Sequence, residues 1–336
     1  MTEPVELAPD LAQYGTGQCR IEFGIGGVGD EAENRHEVFF SEECVTGRRR
    51  AVLIAGPTAS GKSALALALA QQQGGVIVNA DAMQVYDTLR ELTARPDDQD
   101  MAAADHVLYG TVPAATRYST GQWLEAVRGV IDRTDPARTL IFVGGTGLYF
   151  DALLHGFADI PEIPAAVTQE VQQEIATLDG AQRLALLERE DPVTAGRLKV
   201  ADPQRLTRAL AVKRATGRML SSFQDAPQTG LLGGFEVERW VLDPDRDVLR
   251  ERIARRFEQM VEGGAVAEVE ALRAQKLDPS LPAMKAIGVP EISDWLDGAI
   301  TREEAISRAT IATRQYAKRQ RTWFRNRFGD WTRRKA

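Results

Sequence analysis

The sequence is poor in the residues that most often build metal and redox centres, with two cysteines and three histidines among 336 residues. Cys19 and Cys44 form no C-x-x-C pair, which excludes a disulfide framework and the usual zinc spacings and points to a reducing cytoplasm. His36, His106 and His155 stand at no ligand spacing and read as structural. No run approaches 18 uninterrupted apolar residues, so no membrane-spanning helix and no membrane partner are expected. The acidic start also lacks the basic-then-apolar order of a secretory leader. What remains is ordinary globular composition, 43% hydrophobic and 26% charged, long enough for one large α/β unit with an insertion or for two domains.

The net charge of −7 conceals an asymmetry. Residues 1–46 carry ten acids against two bases, whereas residues 314–336 carry nine bases against one acid. A basic tail of this kind suits a polyanionic partner, or it is a solvated terminus. Residues 1–50 show no sustained period and are Gly-rich and acidic, which predicts a disordered or loosely attached extension. From residue 51 the pattern is regular. Apolar runs at 51–55, 76–79 and 139–143 alternate with helical stretches at 64–73 and 120–132, the rhythm of a parallel sheet wrapped by helices. Residues 161–226 lack a convincing strand and read as an inserted helical domain, with Asp191-Pro192 and Asp202-Pro203 as helix starts. A strand at 237–242 returns the chain to the core, 51–160 with 227–336, and three helices follow. The last opens on a capping box at Thr301 and runs to about Arg325.

Directly after the first strand stands GPTASGKS, from Gly56, Pro57, Thr58, Ala59, Ser60 and Gly61 to Lys62 and Ser63. Glycines curl such a loop so that its N–H groups face one point. The following helix adds its positive end, Lys62 adds a full charge, and the Ser63 hydroxyl can meet Mg²⁺. This is a polyphosphate cradle, but the strand at 139–143 ends in Gly144-Gly145-Thr146-Gly147 rather than in the magnesium-holding Asp of an ATPase. Thr146 is placed to donate a hydrogen bond to a ligand. Asp81 follows the second strand, so it shares the carboxyl rim of the sheet with the phosphate loop and can take a proton from an acceptor. In the last helix, Arg314, Lys318, Arg321 and Arg325 fall on one face, interleaved with Trp323, Phe324, Phe328 and Trp331, which suits an RNA backbone with unstacked bases. Met83 and Met260 read as core or helix-face residues. A small-molecule kinase and an RNA-binding nucleotide switch remain open readings of these residues.

Taken together, GPTASGKS, NADAMQVY, LTARP, VGGTGLYF, DPQRLTRAL and RQYAKRQRTWFR make residues 51–328 similar to the bacterial tRNA dimethylallyltransferases, also called tRNA isopentenyltransferases. The resemblance implies an α/β fold: a P-loop NTPase-like parallel sheet flanked by helices, with a helical insertion and C-terminal helices. It implies transfer of a dimethylallyl group from dimethylallyl diphosphate to the exocyclic N6 amine of the adenosine 3′ of the anticodon. The tRNAs concerned read codons beginning with U, diphosphate is released, and the enzyme is a Mg²⁺-assisted, cytoplasmic monomer. By the same resemblance Asp81 is the general base, with Thr146 and Lys62 beside it. Residues Gly56 to Ser63 and Arg256 hold the diphosphate, with Ser63 on the metal. The tRNA anticodon stem-loop meets Asp81, Ala82, Met83, Gln84 and Thr146, then Gln204, Arg205, Leu206, Thr207 and Arg208 of the insertion, and Lys285. The chain departs from the family at Ala82, where Ser is usual, at Val289, where many members have Tyr, and at Thr168, where some use Arg.

Overall fold

The computed structural model describes residues 47–198 and 202–335 in full, and the backbone of two strands at 18–24 and 35–41. The chain divides into two units, Met1–Phe150 with Gly234–Ala336, and Asp151–Gly233.

Within the first unit, β1 (Gln18–Gly24) and β2 (Arg35–Ser41) pair antiparallel, Ile21 opposite Val38. The extension expected to be disordered therefore contains a hairpin; the rest of residues 1–46 lies outside the described residues. Its signal was the alternation of polar and apolar residues in QCRIEF, masked by the surrounding glycines.

The main sheet has six parallel strands in the order β5-β4-β6-β3-β7-β8: β3 (Arg49–Ala55), β4 (Val76–Asn79), β5 (Asp105–Val107), β6 (Leu140–Gly144), β7 (Phe235–Leu242) and β8 (Thr332–Arg334). β4 and β6 are buried at every position and β3 from Ala51 onward, as expected of strands covered on both faces. Val52, Ile54, Ile77, Ile141 and Val143 pack one face onto Leu65, Ala66 and Leu69 of α1 (Lys62–Gln73). Ala55 pairs with Gly144 and with Val241, and Asn79 with Val143, so the four central strands end level. The loops that leave them form one rim, where ligands of open α/β sheets bind.

The remaining helices of this unit are α2 (Asp98–Ala103), α3 (Thr120–Arg133), α4 (Gly147–His155, which continues into the second unit), α10 (Arg246–Gly263), α11 (Ala265–Ala274), α12 (Val289–Leu296) and α13 (Arg302–Arg327). The C-terminal half thus holds four α-helices where the sequence suggested three. α10 presents Leu249, Ile253 and Phe257 to the interior, and Thr301 caps α13 by accepting the Glu304 N–H at 3.1 Å. Phe150, Phe324, Phe328 and Trp331 form an aromatic cluster, Phe328 stacked on Trp331 with ring centroids 4.2 Å apart. Three of the four C-terminal aromatics expected beside RNA are therefore core residues.

Among the described residues the second unit's regular elements are all helices: α5 (Ala165–Ala176), α6 (Gly180–Glu190), α7 (Pro192–Arg197), α8 (Pro203–Thr216) and α9 (Leu220–Gln224) follow the end of α4. Val171, Ile175, Leu187, Leu206, Leu210 and Phe223 make its core. Fully buried Asp191 caps α7 through the Thr194 N–H and also accepts the Leu220 N–H, tying α7 to α9. This unit begins ten residues before the expected Pro161, because the division falls inside α4, where no change of composition marks it.

Candidate active site

The loop between β3 and α1 is held by two left-handed residues, Ala59 (φ 62°) and Gly61 (φ 85°). Such alternation turns successive N–H groups toward one point. Gly56 has no room for a side chain, since a Cβ would stand 2.7 Å from Ser60 Oγ. That hydroxyl is buried without a hydrogen-bond partner, a polar atom waiting for a ligand. Lys62 curls back over the loop and donates to the Pro57 carbonyl at 3.2 Å. Burial brings its ammonium down to about 8; Asp81 opposes the shift and Arg256 adds to it.

Asp81 is fixed from behind by Asn79, itself 0% exposed. Asn79 Oδ1 accepts the Asp81 N–H at 2.8 Å, and Asn79 Nδ2 donates to the Asp81 and Leu108 carbonyls at 3.0 Å. Of the carboxylate, Oδ1 accepts the Met83 N–H at 3.0 Å, while Oδ2 lies toward Gly145. The turn after β6 passes so close that a Cβ at Gly144 would overlap the Ala80 carbonyl, one at Gly145 the Gln320 amide, and one at Gly147 the Trp323 indole. These glycines are required by close approach, not by turn geometry. Thr146 closes the arrangement: its N–H donates to the Ala80 carbonyl at 3.2 Å, and its Oγ1 accepts the Ala82 N–H at 2.9 Å. Residue 82 is therefore held through its backbone, which an alanine supplies as well as a serine.

Above the rim lies a cavity of about 560 Å³ within the first unit. Its lining combines polar groups, Thr58, Asp81, Thr146, Arg256, Arg319 and Gln320, with apolar ones, Met83, Leu92, Ile253, Phe257, Met260 and Ile287. Met83 and Met260 thus line the cavity and also pack against the core around Tyr86, Phe257 and Val289. Burial lowers the Arg256 guanidinium from its ordinary value, against Asp81 and Glu91, which raise it. Tyr316 also lines the cavity. Burial and then Asp81 push its hydroxyl upward, while Arg319, Gln320 and Thr146 act in the other direction.

The structure brings together Thr58, Ala59, Asp81, Ala82, Met83, Thr146, Arg256 and Lys285 around this cavity; of the phosphate loop only Thr58 and Ala59 line it, while Lys62 is within electrostatic reach of Asp81 and Arg256. Other expected contacts fall elsewhere. Gln84 spends its amide on the Thr93 and Ala94 carbonyls, both at 2.8 Å, and so braces a loop. Leu206 is wholly buried in the helical unit, and the Thr207 hydroxyl donates to the Pro203 carbonyl. Gln204, Arg205 and Arg208 on the same helix are exposed. On α13 the expected basic stripe does not line the cavity. At 100° per residue, Arg314, Lys318, Arg321 and Arg325 lie nearly opposite Tyr316, Arg319 and Trp323, which line the cavity. Arg321 is moreover paired with Asp243 at 2.6 Å. Sequence reasoning missed Tyr316, Arg319 and Gln320; their signal was a second helical face, three and four residues apart, running beside the more basic one.

The chain is similar to known proteins in sequence and in fold. A family model described as IPP transferase matches residues 84–327, and one described as isopentenyl transferase matches residues 49–111. The tRNA dimethylallyltransferase of Agrobacterium fabrum is 50% identical over 285 residues, 84% of this chain and 96% of its own. That of a Chelativorans species is 53% identical over 283 residues, 84% and 97%. Among solved structures, the full-length tRNA isopentenylpyrophosphate transferase of Bacillus halodurans has a TM-score of 0.61 at 30% identity, covering 86% of this chain and 90% of its own. A eukaryotic dimethylallyltransferase captured acting on tRNA has a TM-score of 0.69 at 27% identity, covering 82% and 70%. Joined to a phosphate loop, a carboxylate and an apolar wall around one cavity, these likenesses settle the family: the chain belongs to the tRNA dimethylallyltransferases, a family of prenyltransferases.

Proposed function

We propose that this cavity carries a dimethylallyl group from dimethylallyl diphosphate to N6 of the adenosine 3′ of the anticodon, in tRNAs reading U-initial codons. The observation that carries the reading is that Thr58 and Ala59 of the phosphate loop line one cavity together with Asp81 and a set of apolar side chains. The diphosphate occupies the loop, where amides, Lys62 and Arg256 neutralise the charge that grows as the bond from carbon to oxygen breaks. The C5 chain lies against the Ile253–Phe257–Met260 face of α10. The flipped adenine presents its amine to Asp81. As nitrogen bonds to the allylic carbon, the amine proton passes to Asp81 Oδ2 and the electron pair of the broken bond leaves with diphosphate. Base assistance of this kind is typically worth ~10²–10⁴ in rate.

Mg²⁺ keeps several waters and takes one or two protein oxygens beside substrate phosphates. The exposed Ser63 hydroxyl at the loop's end is a donor of that kind. No group of three or more His, Cys, Asp or Glu among the described residues forms a cage. Ser63 would hold the ion, which supplies further charge neutralisation to the leaving diphosphate. Exposed Gln204, Arg205 and Arg208 contribute contacts to the anticodon stem-loop, and a tRNA substrate places the enzyme in the cytoplasm. Among the described residues, no helix is long and apolar enough to cross a membrane.

Incubation of the protein with unmodified tRNA and either dimethylallyl diphosphate or ATP, followed by mass spectrometry of anticodon fragments, tests the proposal. Gain of a prenyl group on the adenosine is expected; gain of phosphate, or no gain, refutes it.

A further inference from the structure

Gln320 is 5% exposed although arginines flank it in sequence. Its Oε1 accepts the Thr58 N–H at 2.9 Å, and its Nε2 donates to the Gly145 carbonyl at 2.9 Å. The partners fix which end of the amide is which, since an N–H needs an acceptor and a carbonyl needs a donor. One side chain thus joins the loop that cradles the leaving group to the turn that carries Thr146. Thr146 in turn holds the Ala82 amide, next in the chain to Asp81. The missing side chain of Gly145 admits the strut, because a Cβ there would overlap Nε2.

We propose that Gln320 is a positioning residue that sets the separation between the donor's phosphate cradle and the acceptor's base. This role rests on the reading of the site given above. Two substrates held by two different loops react only when the allylic carbon and the amine meet in line, and a misplacement of about 1 Å can cost ~10²-fold in rate. The Thr58 N–H engaged by Gln320 is not directed at phosphate. Removing the strut therefore removes no phosphate ligand, and the loss falls on turnover instead of donor affinity.

The experiment compares wild type with Gln320→Met and Gln320→Glu. Gln320→Met can make neither hydrogen bond. Its kcat is expected to fall about 10- to 100-fold, with the KM for dimethylallyl diphosphate within about twofold. Gln320→Glu as a carboxylate still accepts from Thr58 but repels the Gly145 carbonyl; protonated, it both accepts and donates. The ratio of its single-turnover rate to that of wild type should rise as pH falls from 7 to 5. The charged and titratable groups around it, Asp81, Lys62, Arg256, Tyr316 and Arg319, are common to both proteins, and the pH profile of Gln320→Met, which adds no charge beside Asp81, is the reference for their contribution. Thermal unfolding of each variant separates misfolding from misplacement. Should Gln320→Glu not fold, the division between kcat and KM in Gln320→Met decides alone.

A kcat within twofold of wild type, a loss confined to KM, or a rate ratio flat with pH overturns the proposal. A wild-type protein that transfers no prenyl group overturns the reading of the site, and this role with it.

Discussion

The two long faces of α13 carry similar chemistry in sequence and opposite fates in structure. One face sets Tyr316, Arg319, Gln320 and Trp323 against the cavity; the other sends Arg314, Lys318 and Arg325 into solvent and Arg321 to Asp243. Positive charge alone does not distinguish them. What does is the neighbouring backbone. The cavity face lies on a turn stripped of side chains at Gly145 and Gly147, so its polar groups approach main-chain atoms that also fix Thr146. Among the described residues, the outer face makes only a long bond from Arg314 to the Arg250 carbonyl, at 3.5 Å, and the Arg321–Asp243 pair. Density of charge reports what is solvated, whereas function gathers where a helix is admitted close to another loop.

If the cavity side holds the chemistry, the steepest losses belong to it. Asp81→Ala should lower the transfer rate by about 10²–10⁴ while leaving tRNA affinity near that of wild type, measured by single-turnover assay and filter binding. Comparable losses in both would make Asp81 a docking residue. Lys62→Ala should reduce kcat/KM for the diphosphate by roughly 10²–10³, as expected when one preorganised positive group facing the leaving charge is removed. The same lysine sets a pH dependence. Its ammonium is charged below about 8 and neutral above, so kcat/KM should decline as pH rises through that value. A profile flat well beyond it would assign the charge neutralisation to Arg256.

Much of the cavity side was legible because its motifs are short and placed by topology. A strand, a Gly-rich loop ending in Lys62, and a helix have few other uses. A carboxylate just past the next parallel strand must share the loop's rim, which made Asp81 readable without coordinates. Thr146 was legible for the same reason. Tyr316, Arg319 and Gln320 were not, because a helix with polar residues all round has no hydrophobic stripe to announce which side is buried. The stripe of Arg314, Lys318, Arg321 and Arg325 had the better periodicity but does not line the cavity. Leu206 and Thr207 show the same limit at smaller scale. Inside a motif shared with the family, the residues that face outward and those that pack the core are adjacent.

Between the two faces, Arg319 and Arg321 make a direct contrast only two positions apart. Arg319→Ala should cost about 10- to 100-fold in transfer, the worth of one charge-assisted hydrogen bond in the cavity, with no change in thermal stability. Arg321→Ala should leave transfer unchanged and lower stability by about 1 kcal/mol, since it removes a half-buried ion pair with Asp243. Reversal of these two outcomes would put the outer face back in the reaction.

The smallest effect is expected at the outer face itself, and it is the most telling. Each phosphate contact that is lost should lower the dependence of log K on log salt by about one. Arg314, Lys318 and Arg325 are exposed, and the helical period turns them away from the cavity at which the anticodon loop must dock. The triple alanine variant should therefore keep the wild-type salt slope for an anticodon stem-loop, because no phosphate near the reacting adenosine reaches that side of α13. A slope reduced by about three would show that the RNA wraps past the helix, and that the charge asymmetry of the sequence marks a second stretch of backbone held behind the active site.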